Sequence, residues 1–176
     1  MALTSTVADS FPAVSLLEQT PRMLGELLAT ATAGDLDWQP RPERWSIAMV
    51  LAHLADVEEK GFVSRFRAMT AQENPHLPAY DQLALFRTHA HFEALAELEK
   101  FRELRASTLG WLRMLPAEVM GRTGHHEELG PVTFGELLHE FVFHDLGHIR
   151  QIMELYRARV FYPHMGVFQG YYRIHP

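Results

Sequence analysis

The chain has 176 residues, 47% hydrophobic and 22% charged, which fits one globular domain of about 100–200 residues and excludes collagenous, low-complexity and disordered classes. Its formal charge of −6, from 16 basic and 22 acidic residues without a basic block, argues against a nucleic-acid partner, whose footprint is a basic patch. It contains no cysteine, which removes disulfides, thiolate metal sites, iron–sulfur clusters and a cysteine nucleophile together.

A first helix is expected from about Pro12 to Ala31, because Leu16, Leu17, Met23, Leu24, Leu27 and Leu28 recur at gaps of three and four. Pro21 falls inside it and predicts a kink, or a restart with Pro21 in the first turn. Gly34 to Arg44 reads as a loop. Ser46 can cap a second helix running to about Ala71, with Val50, Leu54, Val57 and Gly61 on one stripe. Asn74, Pro75 and Pro78 end that region. Asp81 can cap a third helix, expected as one piece to about Leu115 through Leu95, Leu98, Leu109 and Leu112, with Pro116 as its stop.

The stretch from Gly121 to Pro131 reads as a glycine loop, and no useful strand-like alternation is found anywhere. Thr133 and Glu136 form a capping box for a fourth helix to about Arg159. The tail, 160–176, holds Phe161, Tyr162, Phe168, Tyr171 and Tyr172 and is expected to pack against the helices or a dimer partner, with a pocket-lining role as the alternative. Four helices of roughly 20–35 residues predict an all-α fold, a four-helix bundle forming a single domain over 1–176.

The unusual number is 11 histidines. His144 and His148 are four apart, so both leave one face of the fourth helix, a turn apart. That face reads Leu137, Phe141, His144, His148, Gln151, Leu155: apolar at both ends and polar in the middle. One pair at this spacing is expected by chance in so histidine-rich a chain, so the weight lies in its placement on an apolar stripe. Buried polar groups without partners cost about 1–3 kcal/mol. His53, in LAHLADVEE, interrupts the stripe of the second helix in the same way. Taken alone it reads as a hydrogen-bonded core histidine. If the two helices are neighbours, three imidazoles converge. Such a set suits Zn, Ni, Cu or Fe and leaves coordination positions open, as in catalytic rather than structural zinc.

Several residues near these histidines have two readings. Gln151 could bond a bound water or substrate, or cap another group. Asp56, one turn after His53, could orient a ligand imidazole or be a solvated charge. Asp145 points about 100° from His144 and could pair with Arg150 or Arg41, or belong to inter-helix structure. His125 and His126, in the glycine loop, could fold over the site and transfer protons, or be exposed. His76, His89, His91, His139, His164 and His175 show no ligand-like setting. There is no glycine-rich phosphate loop, GxSxG or HExxH. Glu136 and His139 have di-iron spacing, but His139 lies about 140° from His144 around the helix.

RWSIAMVLAHLADVEE and GHHEELGPVTFGELLHEFVFHDLGHIRQI together resemble the DinB-like (DinB/YfiT) superfamily. EQTPRMLGELLA, RFRAMTAQENPHLPAYD and MGVFQGYY extend the resemblance over nearly the whole chain. It implies a four-helix bundle with a divalent metal on three histidines, here His53, His144 and His148. It further implies either hydrolysis or S-transfer from an external low-molecular-weight thiol, and a homodimer. Zinc is the first candidate, nickel or iron the alternatives. The expected function is metal-dependent catalysis on a small molecule, with His126 or a nearby carboxylate as general base. The alternatives are a non-catalytic metal- or ligand-binding bundle and a purely structural one with hydrogen-bonded histidines. No apolar run approaches the roughly 18 residues of a membrane span. The first cationic side chain is Arg22, too late for a signal peptide, so a cytoplasmic protein is expected.

Overall fold

The computed structural model describes residues 5–11 and 13–176; Pro12, the expected start of the first helix, lies outside them. Four helices carry the fold. Helix α1 is Val14–Leu27. Helix α2 begins at Ile47–Val57, passes through a π-helical turn at Glu58–Val63 and continues as Ser64–Ala71. Helix α3 is Ala94–Leu112 and α4 is Phe134–Tyr156. The local signals act as expected at two starts. The Ser46 hydroxyl accepts from the Met49 N–H at 3.2 Å. Thr133 and Glu136 close a reciprocal capping box, with bonds of 2.7 and 3.1 Å.

Helices α1 and α2 each pack against both α3 and α4, so α1 faces α2, and α3 faces α4, across the diagonals. Consecutive helices α1 and α2 are therefore not neighbours, and the long connections cross the end of the bundle. Helix α2 beside α4 is the pairing the histidine argument needed. Two apolar clusters fill the bundle. One is built around Leu17, Phe62, Phe66, Phe134 and Phe141. The other is built around Leu24, Leu51, Leu54, Phe101 and Ile152. Where they meet, buried polar side chains enter from α2, α3 and α4.

Three expectations are corrected. The third helix is not one piece: a short turn at Ala84–Thr88 precedes α3, and His89 is extended between them. The Thr88 hydroxyl bonds back to the carbonyls of Ala84 and Leu85 there, competing with helix continuation. Leu95 is consequently exposed, and α3 buries Ala94, Leu98, Phe101 and Arg105 instead. The glycine stretch is not a plain loop. Strand β1, His76–Leu77, runs parallel to β2, Thr123–His126, which pairs antiparallel with β3, Gly130–Thr133. Strands of two to four residues holding Gly, His and Pro leave no alternation to read. The hairpin turns at Gly130, whose φ is +79°, a conformation open to glycine.

The third correction concerns the aromatic tail's packing against its own helices, one of the two partners expected for it. Phe161, Phe168, Tyr171 and Tyr172 are exposed, Tyr171 by 81%. Phe161 meets the Tyr156 ring at 5.6 Å and Phe168 lies 6.3 Å from Tyr171, while Gln169 Nε2 donates to the Tyr162 carbonyl at 2.7 Å. Among the described residues, no helix is long and apolar enough to cross a membrane.

Candidate metal centre

His53 comes from the first part of α2, where all residues but Met49 are buried. His144 and His148 come from successive turns of α4. The Nε2 atoms of His53 and His144 lie 3.2 Å apart, and those of His144 and His148 also 3.2 Å apart. One ring nitrogen from each of the three falls within 4.8 Å of the others. Among the described residues, no other group of His, Asp or Glu converges in this way.

The donor set fits a divalent ion. Nitrogens held at about 2.0–2.1 Å around one tetrahedral ion stand roughly 3.3 Å from each other. As a set of hydrogen bonds the cluster is poor, because each Nε2 offers either one proton or one lone pair, and three face a common point. An ion satisfies all three lone pairs. The outer nitrogens are less well served. His148 Nδ1 donates to Gln151 Oε1 at 2.9 Å, which leaves its Nε2 lone pair free. The Nδ1 atoms of His53 and His144 are buried without a hydrogen-bond partner.

The imidazoles are held neutral. Burial first, then the charges of His148 and His144, bring His53 down to about 3. Burial and His148 bring His144 to about 4. Burial also lowers His148, against the pull of Gln151 and Asp145. Only unprotonated imidazole can bind a metal. Aromatic rings surround the cluster: Trp45 lies 5.0 Å from the His53 ring and is stacked 6.3 Å from His148. Phe62 meets His144 edge-on.

The open side is a cavity of about 800 Å³, lined by His144 and His148 together with Trp45, Glu140, Gln151 and Arg150. Arg44, Glu154, Arg157 and the residues Arg173, His175 and Pro176 also line it. A somewhat smaller groove between α1 and α3 lies elsewhere and contains no histidine.

Gln151 bonds the imidazole of His148. Asp56 does not orient an imidazole: its Oδ2 accepts from the Tyr80 hydroxyl at 2.7 Å, and its Oδ1 pairs with Lys60. Asp145 pairs with neither Arg150 nor Arg41. It is buried against Arg105, whose Nη1 and Nη2 donate to its two oxygens at 2.7 and 3.0 Å. His125 is exposed on β2. His126 is buried, and its Nδ1 accepts from the Glu128 N–H at 3.2 Å; it does not line the cavity. His139 bonds the carbonyl of Gly135, outside the cluster.

Four further groups at or behind the site carry no signal singled out in the sequence. Glu140 stands one turn before His144, so the same four-residue spacing could have found it. Trp45 directly precedes the cap of α2. Arg173 and His175 reach the cavity only through the path of the tail, which no local signal reveals. The last is the Glu58–Arg105–Asp145 assembly. Arg105 is 2% exposed, and its guanidinium donates to Glu58 at 2.9–3.1 Å as well as to Asp145.

A bundle with crossed diagonals and a three-histidine cluster beside a cavity defines a class: helical bundles with a candidate three-histidine metal site. The sequence profile of the DinB superfamily matches residues 16–152, and the chain belongs to that superfamily. It is 26% identical over 147 residues to "Putative metal-dependent hydrolase YfiT" of Bacillus subtilis (strain 168), covering 82% of each chain. It is also 26% identical over 149 residues to "Putative metal-dependent hydrolase OB0782" of Oceanobacillus iheyensis, covering 83% of this chain and 85% of the other. The solved structure of YfiT, described as a probable metal-dependent hydrolase with an unusual four-helix bundle topology, superposes with a TM-score of 0.75. That match covers 84% of this chain and 85% of YfiT at 26% identity.

Proposed function

We propose that this protein is a divalent-metal-dependent hydrolase of a small molecule, with zinc, nickel or iron held by His53, His144 and His148. The observation that carries the reading is the convergence of three neutral imidazoles, two of which, His144 and His148, line an open cavity. Three protein ligands leave room for a reacting group, and about 800 Å³ accommodates a small organic substrate. A bound divalent ion supplies Lewis-acid activation of the nucleophile near neutral pH.

The chain's own residues do the rest. Gln151 fixes the ring of His148 through Nδ1. Trp45 and Phe62 shield the imidazoles from solvent on two sides. Glu140, which lines the cavity one turn before His144, is the carboxylate we assign as proton acceptor, in place of His126. Partial desolvation by neighbouring side chains raises its carboxyl above the usual range, against the pull of Arg65, while the residue as a whole stays exposed to the cavity solvent. His126 Nδ1 is already engaged by a backbone N–H, and a neutral ring then carries its proton on Nε2.

A second reading is S-transfer from an external thiol. The chain has no cysteine, so any thiol must enter the cavity from outside. The test is turnover of an ester and amide panel by zinc-loaded protein, with and without a low-molecular-weight thiol, beside His144→Ala. Hydrolysis without thiol supports the proposal. Turnover only with thiol replaces it with the second reading. No turnover in either case leaves a metal-binding bundle and overturns both.

A further inference from the structure

The cavity beside the three histidines differs in charge from the protein around it. The chain carries −6, yet this wall presents Arg44, Arg150, Arg157 and Arg173 against only Glu140 and Glu154. Glu154 is already satisfied: it pairs with Arg157 and accepts the backbone N–H of His175. Arg44 donates to the Pro176 carbonyl oxygen at 3.3 Å. Among the described residues, Arg150 and Arg173 form neither an ion pair nor a hydrogen bond. They come from different segments, α4 and the tail, and reach one cavity. The imidazoles add no positive charge, but a bound divalent ion would add two. A cleft with an excess of one sign of charge concentrates ligands of the other sign. Guanidinium groups match carboxylate and phosphate oxygens through paired N–H donors.

We propose that the cavity takes a small anionic substrate bearing a carboxylate or phosphate, held at its negative end by Arg150 and Arg173. The inference rests on the metal-site reading for the reacting end of the substrate, but the arginine end stands without a metal. The tail thereby becomes part of the binding site, which gives its last residues a role beyond packing.

The test is calorimetric titration of benzoate, phenyl phosphate and the neutral benzamide into the full chain, both zinc-loaded and metal-free. Benzoate and phenyl phosphate are expected to bind at least about tenfold more tightly than benzamide in both forms. The tighter of the two anions identifies the favoured group. The double variant Arg150→Ala/Arg173→Ala is expected to weaken both anions about tenfold, leaving benzamide and the thermal midpoint unchanged. Arg150→Lys/Arg173→Lys, which keeps charge but loses the fork, is expected to fall between. Equal affinity for benzamide and benzoate, absence of anion binding, or anion binding unchanged in the alanine variant overturns the proposal. So does binding confined to the zinc-loaded form, which makes the metal the anion site. If no zinc is retained but anion binding still depends on the arginines, the metal reading fails and this one stands.

Discussion

Arg105 Nη1 donates to the carbonyl oxygen of Leu17 at 2.8 Å. That oxygen lies four residues before Pro21, which has no N–H to offer it. Helix α1 runs through Pro21 unbroken, and a side chain from α3 makes the bond the proline cannot. The same guanidinium holds Glu58 on α2 and Asp145 on α4, so one residue ties all four helices together. Asp145 follows His144 directly, and Glu58 lies five residues after His53. The assembly that fixes the bundle therefore also sets the spacing of the ligand helices.

Replacing Arg105 with Met should be severe. Two buried carboxylates would lose their cation, and Leu17 its donor. Burial already pushes the Glu58 carboxyl up, with Arg105 opposing it. Breaking such a buried network costs about 3–5 kcal/mol. Chemical denaturation of metal-free protein measures it. A loss below about 1 kcal/mol would mean that the assembly does not support the bundle.

Gly61 sits in the π-helical turn of α2. A Cβ there would lie 2.5 Å from Val57 Cγ2, and Val57 is itself buried and β-branched, with little freedom to yield. Gly61→Ala is expected to destabilise by about 1–3 kcal/mol through overpacking, where an ordinary helical site would gain from alanine. A thermal midpoint equal to or above wild type would contradict the close packing.

The depressed histidines make metal-free stability depend on pH. In the unfolded chain an imidazole titrates near 6.5. In the folded state, His53 is held at about 3 and His144 at about 4. Between those values the unfolded state binds more protons, so their contribution is intact above about pH 6.5 and is lost as pH falls. Each should remove on the order of 2 kcal/mol by pH 4.5. Urea denaturation from pH 7 to 4.5 checks this, and His144→Phe should flatten the slope. A flat profile in wild type would show that the imidazoles are not buried neutral.

Gln151→Leu should leave the fold intact but release the ring of His148. Loss of such an outer contact to a ligand weakens metal binding about 10–100-fold. Competition with a chromogenic chelator gives the affinity. Asp56→Asn should change it much less, because Asp56 holds Tyr80 and Lys60 rather than an imidazole. Equal effects would reverse that assignment.

What the sequence reveals follows the range of each signal. The four helices and the caps at Ser46 and Thr133 are local patterns. So are the face shared by His144 and His148 and the break His53 makes in its own stripe. The adjacency of α2 and α4 is not local, since it depends on which diagonals the connections cross. Arg105, Glu58 and Asp145 look like surface charges one at a time, and only the assembled bundle pairs them. The short strands carry too few residues for a period. The tail's approach to the cavity is fixed by contacts such as the His175 N–H to Glu154, which link positions far apart in the chain.

The central claim is that His53, His144 and His148 hold one divalent ion. Its most direct test is metal content by mass spectrometry on untagged protein purified without a metal column. Wild type and His76→Ala should carry about one equivalent of zinc, nickel or iron, and His53→Ala, His144→Ala and His148→Ala little. Equal content across all variants, or none in wild type even after divalent ions are added, would contradict the site.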